Sequence, residues 1–292
     1  SDLPVVISTW QSIYKMKQSY FEQYEIVIGD EAHGFKSKSL TSIMTKCINA
    51  KYRIGTTGTL DGTQTHKLVL EGLFGKVFKV TSTKKLIDSK HLSPFTIKAI
   101  LLRHPDSICH DLKKINYQEE LEYLITSEAR NNFIKKLVLG LENNTLLLFR
   151  FVEKHGKLLY DMIKENTNDR KVFFVYGGTD TDTREQIRAI VERETNSIIV
   201  DSYGVFSVGV NIRSLHNIVF ASPSKSRIRN LQSIGRGLRK SKNKEVATLY
   251  DIADDLSYGS HHNYTLEHFK ERIRIYKDEN FPVAHYQVQL KT

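Results

Sequence analysis

The sequence predicts an α/β protein with parallel sheets arranged in two domains. Short apolar runs such as 26–28 and 145–149 contain no alternating polar residues. Such runs are typical of strands that are buried on both faces of a parallel sheet. Helical patterns separate the runs, and strand–helix–strand alternation produces parallel sheets. The 292 residues are enough for two domains, since domains commonly have ~100–200 residues.

The first part of the chain contains several predicted strands and helices. We predict strands at 5–9, 26–28 and 52–55, and helices at 37–50, 65–74 and 84–89. A further strand at 93–103 is expected to lead out of the first domain. We therefore expect a first domain over residues 1–95 and a linker over residues 96–115.

From Tyr117 the alternation of strands and helices restarts. Strands are predicted at 145–149, 172–176, 198–200, 218–220 and 247–252, and helices at 119–141, 154–165, 182–194, 229–239 and 265–277. Five strands interleaved with helices predict one doubly wound domain over residues 116–282. Residues 283–292 are expected to form a tail, either as an added edge strand or as loose chain.

Composition narrows the possible partners and the compartment. The 43 Lys and Arg residues exceed the 33 Asp and Glu residues, giving a net charge of +10. This surplus favours a polyanionic partner, with nucleic acid ahead of a membrane surface. Two cysteines, Cys47 and Cys109, cannot make a disulfide framework or a four-ligand zinc site, and this favours a reducing, intracellular setting. Because no run approaches ~18–20 apolar residues and no signal peptide is recognisable, we expect a cytoplasmic protein without a membrane partner.

Two adjacent carboxylates, Asp30 and Glu31, follow the predicted strand at 26–28, and His33 comes two positions later. Ligands of open α/β sheets bind outside the carboxyl ends of the strands. Two neighbouring like charges are costly unless a cation or a reaction uses them. A divalent metal on Asp30, with Glu31 activating a water molecule, explains the pair. An acidic surface turn is the alternative.

A second candidate site lies on a predicted helix, where Gln232, Arg236 and Arg239 share one face. Gly235 and Gly237 each cost ~1 kcal/mol relative to alanine inside a helix. Close approach of a phosphate or of another backbone explains why glycines are present. Guanidinium groups suit phosphate recognition and the stabilisation of transition-state charge. A solvated basic helix face is the alternative.

Other strand ends carry hydroxyl groups and glycines that can contact anions. Residues 8–12 are rich in small hydrogen-bonding side chains. Such side chains either bind phosphate oxygens or cap the helix that follows. The segments 176–179 and 202–212 contain glycines after a strand, where backbone N–H groups can approach an anion. Tight turning explains these glycines equally well.

In their order and spacing, these motifs resemble those of the superfamily 2 helicases and translocases, and the resemblance covers nearly the whole chain. Five motifs in order are more specific than any single one. Within the superfamily, the sequence resembles the branch-migrating helicases, which unwind branched DNA and RNA–DNA hybrids. The matching segments are Asp30-Glu31-Ala32-His33 (Walker B, DEAH form), Thr57-Gly58-Thr59 (motif III), Phe149-Arg150-Phe151 (motif IV), 202–212 (motif V) and 232–239 (motif VI).

The resemblance implies a P-loop NTPase motor of two RecA-like domains that bind ATP between them. Asp30 would hold Mg²⁺, Glu31 would be the general base for the attacking water, and His33 would couple the nucleotide site to the second domain. The other implied nucleotide contacts are Gly209, Asn211 (where the family commonly has Asp), Gln232, Arg236 and Arg239. The implied coupling residues are Thr57, Gly58 and Thr59, and the implied nucleic-acid contacts are Ser8, Thr9, Gln11, Arg150, Gly177, Gly178 and Ser202.

The phosphate-binding motif Gly-x-x-x-x-Gly-Lys-[Ser/Thr] does not occur in the sequence. Gly75-Lys76 precedes Val77, and Gly156-Lys157 precedes Leu158. The resemblance places this loop upstream of Ser8. We therefore expect an N-terminally truncated first domain and a chain that is the C-terminal part of a longer protein.

The expected function is that of an ATP-dependent, monomeric helicase or branch-migration motor. Its expected substrates are branched or single-stranded DNA and RNA–DNA hybrids in recombination, repair and replication. Two alternatives remain open at this point. One is a nucleic-acid-binding module without ATPase activity, and the other is a translocase subunit of a restriction or remodelling complex.

Overall fold

Two parallel sheets of unequal size organise the chain, which confirms the predicted α/β class. The computed structural model describes residues 5–58, 60, 63–81, 83–167, 169–206, 212, 214–222 and 246–291. The chain divides into a first unit, Ser1–Val80, and a second unit, Thr81–Thr292. None of the described helices has both the length and the apolar composition needed to cross a bilayer.

The first unit contains a two-stranded sheet, in which the strands pair in parallel with Ile28 opposite Ile54. Its elements in chain order are α1 (Trp10–Ile13), α2 (Gln18–Phe21), β1 (Ile26–Gly29), a 3₁₀ turn (Ala32–Gly34), α3 (Lys38–Lys46), β2 (Tyr52–Gly55) and α4 (Gln64–Phe74).

In the described part of the chain, helices cover only one face of this small sheet. Val27 packs with Met44 of α3 and Leu70 of α4, which are buried. On the opposite face, Ile26 and Ile28 are 56% and 66% exposed. The prediction that residues 26–28 are buried on both faces is therefore wrong for this structure, because the described first unit provides helices on one side of the sheet alone.

Residues 5–9 also differ from expectation. The structure assigns no strand to this segment. Val5 and Ile7 are 70% and 95% exposed, so the apolar residues are not part of a core. No described strand pairs with the segment, and an apolar run without a hydrogen-bonded neighbour does not form a sheet.

The second unit contains the predicted strands of the doubly wound domain, with additional strands before and after them. Its elements in chain order are α5 (Thr83–Asp88), β3 (Phe95–Arg103), α6 (Asp106–Leu112), α7 (Tyr117–Thr126), α8 (Glu128–Gly140), β4 (Thr145–Phe149), a π-helical turn (Val152–Gly156), α9 (Lys157–Lys164), β5 (Val172–Val175), α10 (Thr181–Arg193), β6 (Ile198–Ser202), α11 (Tyr203–Phe206), β7 (Asn217–Phe220), β8 (Ala247–Asp255), α12 (Tyr264–Asp278) and β9 (Val283–Gln289).

The predicted long helix over 119–141 is two helices, α7 and α8. The break occurs at Ser127, whose backbone is extended, with φ −61° and ψ 114°. Its hydroxyl oxygen accepts a hydrogen bond from the amide of Arg130 at 3.4 Å. Serine favours this arrangement at a helix start, which explains why one apolar pattern is divided.

Seven of the described strands, all parallel, form the sheet of the second unit, in the order β5-β6-β4-β7-β8-β3-β9. Strand β3 lies between β8 and β9, and Phe95, Ile97 and Leu102 on it are buried. This corrects the expected linker over residues 96–115, because β3 and α6 belong to the second unit. Strand β9 pairs with β3, so residues 283–289 of the expected tail form the edge strand that was one of the two alternatives.

The central strands are buried on both faces, as predicted. Leu146 and Leu148 of β4 face one apolar cluster, whereas Leu147 and Phe149 face the other. Strands β4, β5, β6 and β7 are neighbours and all run in the same direction. The residues that follow these four strands therefore lie along one edge of the sheet, where ligands of such folds bind.

Candidate nucleotide and nucleic-acid sites

The acidic pair of the first unit lies where β1 ends. Asp30 follows β1 directly, and Thr56 follows the neighbouring strand β2. Asp30 Oδ1 accepts hydrogen bonds from Thr56 Oγ1 at 3.0 Å and from the amide of Glu31 at 2.9 Å. The amide of Thr56 donates to Gly29 O at 2.9 Å, and the amide of Ala32 donates to Thr56 O at 2.8 Å. These bonds join the segment of the acidic pair to Thr56, which immediately precedes the segment that resembles motif III.

Glu31 adopts a left-handed backbone conformation, with φ 48° and ψ 48°. This conformation costs a residue other than glycine ~1 kcal/mol or more, and such strain is concentrated at functional sites. In this segment the left-handed conformation coincides with a change from an exposed side chain to a buried one. The Glu31 side chain is 61% exposed, whereas the next residue, Ala32, is 4% exposed.

His33 links the acidic pair to Thr57. Its Nδ1 atom lies 3.0 Å from Thr57 Oγ1 and 3.1 Å from Glu31 Oε2. Its carbonyl oxygen lies 2.9 Å from Nε2 of His66, a buried residue of α4. The ring is thus fixed between the carboxylate and the hydroxyl, while the main chain is held by a neighbouring helix.

Two glycines at the strand ends allow this close packing. A Cβ atom on Gly29 would lie 2.8 Å from the ring of Phe35. A Cβ atom on Gly55 would lie 3.0 Å from both Ala32 Cβ and the ring of Phe74. The sequence signal was a glycine at the end of each apolar run, next to the segments singled out as motifs.

The donor set around Asp30 fits a magnesium ion that is held mainly by water and substrate. Among the described residues, no group of three or more His, Cys, Asp or Glu side chains is arranged to hold a metal ion. Magnesium commonly needs only one or two protein carboxylates, because waters and phosphate oxygens complete its octahedron. The exposed carboxylate of Asp30, beside a threonine hydroxyl, satisfies that requirement.

In the second unit, four predicted nucleic-acid contacts lie along one edge of the sheet. Arg150 follows β4, Gly177 and Gly178 follow β5 closely, and Ser202 ends β6. The Arg150 side chain is exposed: its guanidinium carbon lies 5.1 Å from the centre of the Phe151 ring. Both glycines are exposed, whereas Ser202 is 8% exposed. The structure thus brings these residues to neighbouring strand ends.

The remaining predicted contacts of the first unit are on the surface. Ser8, Thr9 and Gln11 are exposed, and Thr9 Oγ1 lies 2.9 Å from Ser12 Oγ. Thr9 precedes α1, but its side chain makes no capping hydrogen bond to that helix. The capping alternative is therefore not observed for Thr9 in the described structure.

Several predicted site residues lie outside the described residues. They belong to the segments that resemble motif III, motif V and motif VI. These residues are Thr59, Gly209, Asn211, Gln232, Arg236 and Arg239.

A buried polar cluster beneath Arg150 was missed by the sequence reasoning. Ser222 Oγ accepts a hydrogen bond from the amide of Arg150 at 3.1 Å and lies 3.0 Å from His155 Nδ1. His155 Nε2 lies 3.2 Å from Asn131 Oδ1. Burial, together with the charge of nearby Arg130, lowers the pKa of His155 to about 3. The ring is therefore neutral near physiological pH.

Arg130 and Asp254 form a fully buried ion pair beside this cluster. Arg130 Nε donates to both carboxylate oxygens at 2.9 Å, and Nη2 donates to Ala221 O at 2.8 Å. Burial disfavours the charged form of Asp254, but Arg130 and the bond to His104 outweigh it and hold the pKa of this carboxyl below its ordinary value. The available signal was the acidic pair Asp254-Asp255, which follows the strand predicted at 247–252.

Comparisons with known proteins agree with this architecture. Residues 129–241 match the helicase conserved C-terminal domain, and residues 1–62 match the res subunit of type III restriction enzymes. The crystal structure of T4 UvsW matches with a TM-score of 0.60 and 36% identity, over 99% of this chain and 59% of that chain. The chain belongs to the superfamily 2 helicases, and the predicted RecA-like parallel-sheet architecture is confirmed.

Two relatives are similar to the chain over most of its length. It is 36% identical over 294 residues to the ATP-dependent DNA helicase UvsW of Enterobacteria phage T4, which covers 96% of this chain and 58% of UvsW. It is 24% identical over 261 residues to the putative ATP-dependent RNA helicase L396 of Acanthamoeba polyphaga mimivirus, covering 86% of this chain and 48% of L396. The chain thus spans about half the length of these relatives.

A further solved structure shows how widely the fold is shared. A fragment of a putative HsdR subunit of a type I restriction enzyme from Vibrio vulnificus matches with a TM-score of 0.70. The match covers 96% of this chain and 51% of the fragment, at 16% identity. At this identity the likeness concerns the fold alone.

Proposed function

We propose that this chain is the motor part of an ATP-dependent helicase that acts on branched or single-stranded DNA and on RNA–DNA hybrids. The observation that carries the proposal is the junction at the ends of β1 and β2, where Asp30 contacts Thr56 and His33 contacts both Glu31 and Thr57. The 36% identity to a relative named as an ATP-dependent DNA helicase supports the same class of activity.

In this proposal each residue of the junction has a separate role. Asp30 would hold Mg²⁺, which would supply positive charge to neutralise the nucleotide phosphates. Glu31, which is exposed beside it, accepts the proton of the attacking water. His33 orients Glu31 through its Nδ1 atom, while Thr57, Gly58 and Thr59 couple the nucleotide state to strand movement.

The second unit contributes further proposed contacts with the nucleotide. The proposed nucleotide contacts are Gly209 and Asn211, and the proposed phosphate contacts are Arg236 and Arg239 with Gln232 in support; all five lie outside the described residues. The order and spacing of these residues support this assignment. Arginine forks suit the developing charge on a transferred phosphoryl group.

The nucleic acid is proposed to make its contacts through its phosphates. Arg150, Gly177, Gly178 and Ser202 form these contacts in the second unit, and Ser8, Thr9 and Gln11 form them in the first. The net charge of +10 supports a polyanionic partner. Backbone contacts make binding weakly dependent on sequence and strongly dependent on salt. We propose that the motor works as a monomer.

The decisive experiment replaces Glu31 by glutamine in the complete gene product. Glu31→Gln should retain ATP binding but lower DNA-stimulated hydrolysis by about 100-fold or more, which is typical for the loss of a general base. The matched control is Glu25→Gln, because Glu25 is an exposed carboxylate that pairs with Lys51 at 3.3 Å. Unchanged turnover in Glu31→Gln would contradict the assignment.

A second candidate function is a translocase subunit of a restriction or remodelling complex. The match of residues 1–62 to the res subunit of type III restriction enzymes favours this candidate. It predicts ATP hydrolysis without strand separation. Unwinding assays on forked DNA, Holliday junctions and RNA–DNA hybrids therefore separate the two candidates. A protein with no affinity for ATP would instead be a nucleic-acid-binding module.

A further inference from the structure

A chain of buried hydrogen bonds begins at the backbone of Arg150 and ends inside the second unit. The amide of Arg150 donates to Ser222 Oγ at 3.1 Å, and Ser222 Oγ lies 3.0 Å from His155 Nδ1. His155 Nε2 lies 3.2 Å from Asn131 Oδ1, and Asn131 Nδ2 donates to Ile125 O at 2.8 Å. Ser222, His155 and Asn131 are each at most 2% exposed.

The direction of every bond in this chain is determined. Because Asn131 Nδ2 donates to Ile125 O, its Oδ1 faces His155 and can only accept. His155 Nε2 therefore carries the hydrogen, and Nδ1 of the neutral ring accepts. It follows that the Ser222 hydroxyl donates to Nδ1 while its oxygen accepts the amide of Arg150. Each group has one fixed partner on each side.

The position of His155 depends on an unusual local backbone. His155 lies in the π-helical turn Val152–Gly156, where the amide of Gly156 donates to Phe151 O at 2.8 Å. A Cβ atom on Gly156 would lie 2.4 Å from the ring of Phe149, so only glycine fits against the end of β4. π-helical turns inside helices are rare and frequently occur at functional sites.

The other end of the chain is equally constrained. The amide of Ala221 donates to Leu148 O at 3.0 Å, which continues the pairing of β7 with β4. Arg130 Nη2 donates to Ala221 O at 2.8 Å, and the Tyr203 hydroxyl donates to Ser222 O at 3.1 Å. The position of Ser222 is thus fixed by hydrogen bonds. The amide of Arg150, the residue that follows β4, donates to the Ser222 hydroxyl oxygen.

We propose that Ser222 and His155 are positioning residues for nucleic-acid binding, which act by holding the backbone of Arg150. The inference rests on the proposed function, in which Arg150 contacts phosphate. An exposed arginine on an unrestrained loop loses conformational freedom on binding, and this loss weakens affinity. A hydrogen-bonded amide sets the starting point of the side chain before the nucleic acid arrives. The exposed guanidinium then needs to order only its own rotamers.

The test measures binding of a fluorescein-labelled oligothymidylate by anisotropy, using the complete gene product at fixed salt. Ser222→Ala should raise Kd about fivefold, which corresponds to the ~1 kcal/mol net contribution of one hydrogen bond. Ser222→Thr keeps the hydroxyl and should bind within about twofold of wild type. Ser222→Cys keeps the size of the side chain but is a weaker hydrogen-bonding group, and should raise Kd by an intermediate amount.

A matched control separates positioning from general stability. Ser214 is also buried in the second unit, where its hydroxyl donates to Val191 O at 3.2 Å and lies 3.0 Å from Asn144 Nδ2. Ser214→Ala removes comparable bonds at a site that does not contact Arg150, and should leave Kd unchanged. In an Arg150→Ala background, Ser222→Ala should have no further effect, because the two residues act as one unit.

The outcomes are distinct. The inference is overturned if Ser222→Ala binds like wild type, if Ser214→Ala weakens binding equally, or if Ser222→Ala still costs about fivefold in the Arg150→Ala background. If wild type itself does not bind the oligonucleotide, the proposed nucleic-acid function fails. If wild type binds and Ser222→Ala has no effect, the positioning role alone is lost.

Discussion

Lowering the pH from about 7 to about 5 is expected to destabilise the second unit through one buried side chain, His155. Burial and the charge of Arg130 lower the pKa of this ring from its ordinary value of about 6.5 to about 3. Between these two values the unfolded chain binds a proton that the folded chain does not. The free energy of unfolding therefore falls as the pH falls through this window, and the contribution is complete near a pH of about 3.

The magnitude follows from the two pKa values. Between about pH 7 and about pH 5, proton linkage at one site with these values lowers the free energy of unfolding by ~2 kcal/mol. This corresponds to an increase of roughly 30-fold in the population of the opened state. This decrease of ~2 kcal/mol is a substantial part of the free energy of unfolding of a domain, which is about 5–15 kcal/mol.

Hydrogen–deuterium exchange measures this effect in the second unit alone, because the buried amides of β4 and β7 exchange through opening of that unit. After correction for intrinsic exchange rates, the opening constant of wild type should rise roughly 30-fold more than that of His155→Gln over the same pH range. His285→Gln, which removes an exposed histidine of β9, serves as the control and should behave like wild type. The reasoning is refuted if His155→Gln and wild type show the same dependence on pH.

Three substitutions test the packing of the two units. Gly29→Ala should destabilise the first unit by ~2 kcal/mol in chemical unfolding, because the new Cβ would lie 2.8 Å from the Phe35 ring; a variant as stable as wild type would disprove the close contact. Gly72→Ala has open space and should stabilise α4 by up to ~1 kcal/mol, so a loss of stability would count against this geometry. Glu120→Ala should cost ~3 kcal/mol in thermal unfolding, because buried Glu120 accepts hydrogen bonds from the Thr265 amide at 2.8 Å and hydroxyl at 2.6 Å; a cost below ~1 kcal/mol would contradict this role.

The sequence pattern predicted the burial of strands where the sheet is wide, and failed where it is narrow. The apolar runs 145–149 and 26–28 look alike in sequence. Strand β4 has a neighbour on each side and helices on both faces, so all of its residues are buried. Among the described strands, β1 pairs with β2 alone, and Ile28 is 66% exposed. A run of apolar residues indicates a preference for burial. The strands and helices that bury it come from elsewhere in the chain.

The same reasoning explains which parts of the candidate sites could be predicted. The strand-end position of Asp30 followed from a local pattern, and its contact with Thr56 follows because parallel strands end at one edge of a sheet. The cluster beneath Arg150 had no such local pattern. His155 and Ser222 are separated by 67 positions, and Arg130 and Asp254 by 124 positions. Isolated polar residues usually lie on the surface, so only the folded structure reveals that these are buried.

The two units share a pattern of hydrogen bonds at the ends of their strands. Where a strand ends, its backbone pairing also ends, and the next residue must find a new hydrogen-bond partner. In each unit that residue is a proposed functional one that contacts a hydroxyl near the end of the neighbouring strand. The Thr56 hydroxyl donates to the Asp30 carboxylate, whereas the Ser222 hydroxyl oxygen accepts a hydrogen bond from the backbone amide of Arg150. A histidine stands next to each hydroxyl segment, His33 near Thr57 and His155 near Ser222. The precision of both candidate sites therefore derives from the sheets, because each contact is fixed within one residue or two of a paired strand.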